Sequence, residues 1–356
     1  MMFDLTRRDL AINGLAGLAA ASLPHSAGMA QAPTPRVVDL SLVDPQLRAA
    51  AREAAPITTM LSALSTATLP SVRAAGGKVS AFEAGVPVDR RSIPGGRSAP
   101  DVVIYVINAR AGTARPAILH THGGGFVVGT AANDVPRLQA MAAALDCVIV
   151  TVDYRLAPEV GYQGAIEDNY AGLRWLFANA ALLGADPQRI AVMGESAGGG
   201  HAALLALAAR DRGEFRLAFQ LLVYPMLDDR TGSSRPVPAT VGQIIWTPAA
   251  NRFGWGAFLG QTPGTAKVPA AAVPARVRDL SGLPPAFICV GALDLFVEED
   301  MEYARRLIGV GVPTELLVVP GAFHGFDNGS PDARVVKQFN DAKLNALRRI
   351  WATGIA

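Results

Sequence analysis

The sequence predicts an α/β fold in which a mostly parallel central sheet is covered by helices on both faces. Three observations carry this expectation. Runs of continuous apolar residues, such as Cys147 to Asp153 and Ile190 to Met193, alternate with helix-length patterns after Gly129. Strands that are apolar on both faces belong to parallel sheets sandwiched by helices. Half of the 356 residues are hydrophobic, so a large core is available. Glycine clusters stand where strands pass into loops or helices, at Gly123-Gly124-Gly125 and from Gly194 to Gly200.

Taken in order, the chain opens on Arg7-Arg8, an apolar stretch from Leu10 to Leu23, and small residues around Ala30 and Ala32. This reads as an export signal over 1–32, of the twin-arginine type, cleaved near Ala30 or Ala32. The mature protein is then expected in the periplasm or secreted. An uncleaved basic N-terminus on a cytoplasmic protein is the alternative. The apolar stretch is too short and too rich in Gly and Ala to span a membrane, so no stable insertion is expected once the signal is removed.

Residues 33–75 are Pro-bounded and helix-prone, with Leu47, Ala51, Ala54 and Ala55 at helical spacing, and read as an N-terminal cap segment. A core follows over 76–227, with strands expected at Lys78 to Val88, Val102 to Ile107, Ala117 to His122, Cys147 to Asp153, Ile190 to Met193 and Leu217 to Val223. Helices are expected at Asp134 to Leu145, Ala165 to Leu183 and Gly199 to Ala209. The stretch 228–285 is irregular and dense in Pro, Gly, Thr and Ala, yet carries Trp246, Phe253, Trp255 and Phe258. Its length and aromatic content point to a cap insertion. The core resumes over 286–356 with strands at Ala286 to Val290 and Glu315 to Val319, and helices at Val297 to Ile308 and Arg334 to Trp351.

A net charge of +2 without dense Lys/Arg clusters gives no footprint for nucleic acid. Cys147 and Cys289 lie in buried-strand patterns and are expected as two core thiols.

The chemistry centres on Gly194-Glu195-Ser196-Ala197-Gly198, set between a strand and a helix. A serine on so sharp a turn takes strained backbone geometry, and side chains two positions either side would strike neighbouring backbone. A serine hydroxyl is a weak nucleophile until a positioned base takes its proton. His324 sits in a loop directly after the last strand, at the same sheet edge as Ser196. His201 is five residues into the serine helix and reads as a satisfied core or surface histidine. Asp294 is the first acid after strand Ala286 to Val290 and is the expected partner of the base, whereas Glu298, Glu299 and Asp300 open a helix and suit its dipole. His122-Gly123-Gly124-Gly125-Phe126 follows a strand, and its unhindered N–H groups, with that of Ala197, can hold a developing oxyanion. A rival reading places a metal between His120 and His122, two apart on one strand, but no nearby run of acids or cysteines completes it.

Together these stretches, with Asp153-Tyr154-Arg155-Leu156-Ala157-Pro158-Glu159 and His324-Gly325-Phe326, resemble the bacterial hormone-sensitive-lipase family of esterases within the α/β-hydrolase fold. The resemblance runs from about residue 78 to the end. It implies Ser196 as nucleophile, His324 as base, Asp294 as its partner, and an oxyanion hole of Gly124, Gly125 and Ala197 shaped by His122 and Gly123. It also implies a small-molecule ester substrate, no cofactor and no metal. An amide hydrolase with the same triad is the alternative; a non-catalytic binding protein fits less well because His324 is present. Phe126, Glu195, Trp246, Trp255 and Phe258 are the candidates to line a substrate pocket, and either they do so or they pack the cap onto the core. The chain departs from the family pattern after Asp294, with Leu295 in place of a proline and Val297-Glu298-Glu299-Asp300 in place of an Arg-Asp-Glu-Gly type of turn. The sequence leaves open whether the protein is a monomer or a dimer.

Overall fold

A computed structural model describes residues 38–76, 81–96 and 99–353. The expected export signal falls outside these residues. Eight strands form one sheet: β1 (Val88–Ile93), β2 (Val102–Ile107), β3 (Arg115–Thr121), β4 (Val148–Asp153), β5 (Ala185–Glu195), β6 (Phe219–Val223), β7 (Ala286–Gly291) and β8 (Thr314–Val319). Their order is β1-β2-β4-β3-β5-β6-β7-β8. The pairs β1–β2 and β2–β4 are antiparallel, and all pairs from β4 to β8 are parallel.

Alternation along each strand divides the core between the two faces. Leu119, Val150, Val192, Leu222 and Ile288 face one side, against α5 (Tyr162–Ala178), α7 (Ala197–Arg212) and α9 (Val297–Gly309). Their chain neighbours Ile118, Ile149, Ala191, Leu221 and Phe287 face the other, against α4 (Ala131–Leu145) and α10 (Arg334–Thr353). Each fully buried Val, Leu, Ile or Phe side chain contributes about 1.5–3 kcal/mol. Helix α7 is apolar all round because it is covered on every side: Ala197 to Leu207 are all buried.

The first expected strand is displaced. The strand begins at Val88, where Lys78 to Val88 was expected, and its central residues Asp89, Arg90, Arg91 and Ser92 are exposed. It pairs with β2 alone, so an edge position leaves no apolar signature for hydrophobic patterning to find. The helix expected over Ala165 to Leu183 starts earlier, at Tyr162, and breaks at Asn179, whose side chain donates to the Trp175 carbonyl; α6 (Ala180–Leu183) follows. Cys147 and Cys289 are free and buried, as expected, and burial pushes the Cys147 thiol up to about 12.

The N-terminal segment forms α1 (Arg48–Glu53), α2 (Ala55–Ser62) and α3 (Leu69–Ala75), burying Leu47, Ala51 and Ala54 but leaving Ala55 exposed. It meets the insertion directly: Thr58 Oγ1 accepts from the Ile245 N–H at 2.8 Å, and the hydroxyls of Ser62 and Thr247 lie 3.0 Å apart. Thr247 also caps α8 (Pro248–Leu259), with proline at the first helical position. From α3, Arg73 donates to the carbonyls of Val127 and Ala157 and forks onto Glu159, which fastens the N-terminal helices to the loops after β3 and β4.

Candidate active site

Strand β5 ends at Glu195, α7 begins at Ala197, and the residue between them, Ser196, has φ 57° and ψ −122°. No side chain favours that backbone, so the surroundings hold it in place. The Ser196 N–H donates to the Val223 carbonyl at 2.9 Å, and the Ser196 carbonyl accepts from Met226 N–H at 2.9 Å, which pins the turn to the end of β6. The flanking glycines are required sterically. A Cβ on Gly194 would lie 2.3 Å from the Gly198 carbonyl oxygen, and one on Gly198 would lie 2.0 Å from that of Thr121.

The loops after β7 and β8 bring Asp294 and His324 to this turn. His324 Nε2 is 2.9 Å from Ser196 Oγ, and His324 Nδ1 is 2.8 Å from Asp294 Oδ2. Asp294 Oδ1 accepts from the Phe296 N–H at 3.0 Å, so the carboxylate is held from both sides. This geometry places a proton on Nδ1 and leaves Nε2 as the acceptor for the serine hydroxyl. Asp294 is fully buried and Ser196 and His324 nearly so. Two rings stand edge-on to the imidazole, Tyr224 at 4.8 Å and Phe296 at 5.2 Å between centroids. Neither was singled out in the sequence. Tyr224 carried a signal in being the first residue after β6, as Ser196 is after β5; its φ is 35° and its hydroxyl donates to Asp327 Oδ1 at 2.9 Å.

The glycine loop turns back on itself through three successive positive φ angles, 126° at Gly124, 59° at Gly125 and 69° at Phe126. A Cβ on Gly124 would lie 1.9 Å from the Val128 carbonyl oxygen. Gly123 packs on the turn at Ser196, its notional Cβ 3.6 Å from that of Ser196. Among the described residues, the N–H groups of Gly124, Gly125 and Ala197 donate to no protein acceptor. His122 stacks on Tyr154 at 4.2 Å with its Nδ1 2.8 Å from the Gly123 carbonyl, and the Tyr154 hydroxyl donates to the His122 carbonyl at 2.7 Å. Burial holds the His122 imidazole below its usual range.

Other candidates fall differently. Glu195, expected at the substrate pocket, is turned away beneath the site: successive strand residues point to opposite faces. Its carboxylate is bound by both Arg137 Nη atoms, at 2.7 and 2.5 Å, and lies 2.8 Å from His120 Nε2. His120 turns its ring nitrogens to Thr151 and Glu195, whereas His122 turns Nδ1 to the Gly123 carbonyl. Two acids do reach His120, Asp134 and Glu195, from parts of the chain that strand spacing could not bring into view. The Arg137 guanidinium bonds to both of them.

Of the aromatic candidates, Phe126, Trp255 and Phe258 pack on one another within the core, with Phe126 and Phe258 stacked at 4.1 Å. Trp246 lies against the glycines of the loop, since a Cβ on Gly125 would fall 2.0 Å from its ring. His201 is in this core, as expected, but is not satisfied: both ring nitrogens lack a partner among the described residues, and burial pushes its pKa down to about 3. Of the three acids opening α9, Glu298 is exposed, while Glu299 and Asp300 are buried. Glu299 does more than complement the helix dipole, because it accepts from the Leu227 and Asp228 N–H groups and the Thr231 hydroxyl at the start of the insertion. Among the described residues, Asp300 has no partner for either carboxyl oxygen.

A family model described as alpha/beta hydrolase fold matches residues 118–328. Carboxylesterase NlhH of Mycobacterium tuberculosis is 38% identical over 240 residues, 66% of this chain and 73% of that protein. An ethyl acetate hydrolase of Pseudomonas putida is 34% identical over 227 residues, 60% of this chain and 66% of that protein. Among solved structures, a bacterial heroin esterase superposes with a TM-score of 0.78 at 37% identity, covering 87% of this chain and 98% of its own.

Proposed function

The chain belongs to the hormone-sensitive-lipase-like branch of the α/β-hydrolase family and is a serine carboxylesterase, and we propose that it cleaves short- to medium-chain acyl esters through an acyl-enzyme on Ser196. The observation that carries the mechanism is His324 standing in hydrogen-bond range of Ser196 on one side and Asp294 on the other. His324 Nε2 takes the serine proton as Oγ attacks the ester carbonyl, and Asp294 holds the imidazolium in place without itself taking a proton. The N–H groups of Gly124, Gly125 and Ala197 receive the negative charge on the carbonyl oxygen, each worth about 3 kcal/mol in the transition state. His324 then returns the proton to the departing alkoxide oxygen. A water then gives a proton to His324 Nε2 as it attacks the acyl carbon. The acyl–Oγ bond breaks, His324 returns the proton to Ser196 Oγ, and the carboxylic acid leaves.

Chain-length preference is assigned to Trp246, whose ring lies over Gly125 and closes space beside the reacting carbonyl. Each methylene excluded from burial forgoes about 0.8 kcal/mol. Acyl chains of roughly C2 to C8 are therefore preferred. The N-terminal helices and the insertion act as the cap over this space, and the export signal places the reaction outside the cytoplasm. Among the described residues no helix is long and apolar enough to cross a membrane.

A panel of p-nitrophenyl esters of graded chain length, run against aryl amides, tests the reading. Rates should be greatest for short esters, with no jump when substrate forms an emulsion. Rates that climb steadily to C16 esters, or amides cleaved faster than esters, would overturn it. Amino-terminal sequencing of the native protein should start near Gln31 or Pro33; an intact Met1 on a cytoplasmic pool would remove the export proposal.

A further inference from the structure

The proposed mechanism makes no use of a second charge cluster beside the serine turn, built on the buried Glu195 and His120 and the half-buried Arg137 and Asp134. Arg137 forks onto Glu195 and donates through Nε to Asp134 at 3.0 Å. His120 bridges Glu195 and Thr151, with 2.8 Å on each side. His120 and Thr151 are fully buried and Glu195 nearly so. Burying charge costs several kcal/mol per ion, and apolar groups of equal volume would stabilise a fold as well or better. Stability therefore does not account for these residues.

Their places in the chain do. His120 lies on β3 two residues before His122, at the entry to the glycine loop. Arg137 lies in α4, which begins at Ala131 where that loop ends. Glu195 immediately precedes Ser196. The cluster thus grips the glycine loop at both ends and joins them to the residue ahead of the nucleophile. We propose that Glu195, Arg137 and His120 are positioning residues that set the spacing between the two halves of the oxyanion hole, Gly124 and Gly125 on the loop and Ala197 on the serine turn. A bidentate guanidinium–carboxylate fork suits this task because it fixes angle as well as distance. Burial alone would raise the Glu195 carboxyl, but Arg137 and His120 outweigh it and hold the group well below its usual range, so the fork stays charged. A metal held by His120, Asp134 and Glu195 would have to displace a guanidinium already bonded to both acids.

The inference rests on Ser196 being the nucleophile. Glu195→Gln keeps the side-chain shape and removes the charge that closes the fork, while Arg137→Lys keeps the charge and removes the fork. Both are to be assayed with p-nitrophenyl butyrate, normalised to sites titrated to completion with a fluorophosphonate. Inhibition by an alkyl boronic acid, which mimics the tetrahedral intermediate, is measured alongside. The expected result is a fall in kcat per titrated site of about 10- to 100-fold, the cost of a misplacement approaching 1 Å. KM should move less than about threefold, and boronate affinity should weaken in step with kcat/KM. A kcat per titrated site within about twofold of wild type in both variants would overturn the inference, as would losses confined to the titratable fraction. If Glu195→Gln does not fold, Arg137→Lys decides alone. A fully active Ser196→Ala would end the esterase mechanism itself, whereas unaffected Glu195→Gln and Arg137→Lys variants would end only this inference.

Discussion

Two buried histidine–carboxylate pairs lie within this one site, and they have the same length. His324 is 2.8 Å from Asp294, and His120 is 2.8 Å from Glu195. The first pair ends on a serine hydroxyl at 2.9 Å, so its outer nitrogen is free to take a proton. The second is closed on every side, because the remaining nitrogen of His120 meets the Thr151 hydroxyl and its carboxylate is claimed by Arg137. A base is therefore not made by burial or by a carboxylate alone. It is made by leaving one nitrogen facing a group that can react.

The largest expected effect separates the two pairs. His324→Ala should lower kcat by about 10⁵- to 10⁶-fold, while His120→Gln should retain at least about a hundredth of wild-type activity. Comparable losses in the two variants, measured per titrated site, would erase the distinction. Asp294→Asn should cost about 10⁴-fold by allowing the wrong tautomer, and Glu298→Gln, on an exposed side chain, should stay within about twofold. A ranking with Glu298 as the more severe would mean that Asp294 is not the orienting acid. Trp246→Ala should leave hydrolysis of acetate esters within about tenfold and shift the optimum to longer chains, as each admitted methylene gains about 0.8 kcal/mol. An unchanged optimum would show that the ring only packs the cap.

The smallest effect contrasts two buried acids. Glu195 is partnered and held ionised, so its contribution to stability is present above its ordinary pKa of 4.5 and is lost as pH falls through the depressed value. Asp300 is fully buried without a partner among the described residues, and burial, then the charges of Glu299 and Asp294, push its carboxyl well above 3.8. The sign reverses: stability is greatest below 3.8 and is lost as pH rises toward the raised value. Asp300→Asn should melt with wild type at about pH 4 and gain on the order of 1 kcal/mol by about pH 8. A constant offset across that range would show that ionisation of Asp300 is not what destabilises the fold.

Much of the fold could be read from sequence because its central strands are covered on both faces, and runs such as Val148 to Val152 declare that burial. The polar edge strand β1 lacks the same signal. The positions of Ser196, Asp294 and His324 were legible because each follows a parallel strand, and parallel strands deliver their ends to one edge. Partnerships across the chain were not legible. Arg137 is 58 positions from Glu195, and Tyr224 is 103 from Asp327. Sequence adjacency to Ser196 suggested a pocket role for Glu195, which strand alternation turns away. The acids opening α9 suited a helix dipole, but a local rule carries no information on burial, and Glu299 and Asp300 lie inside.

Ser196 alone among the chain's hydroxyls is expected to be activated, because His324 faces it. The direct measurement is to quench the enzyme in mid-turnover with p-nitrophenyl butyrate and locate the butyryl group by peptide mass spectrometry. One adduct on the peptide containing Ser196 is predicted, absent from Ser196→Ala, whose kcat should fall about a million-fold. A butyryl group on another residue, or more than a few per cent of activity surviving in clean Ser196→Ala protein, would contradict the account.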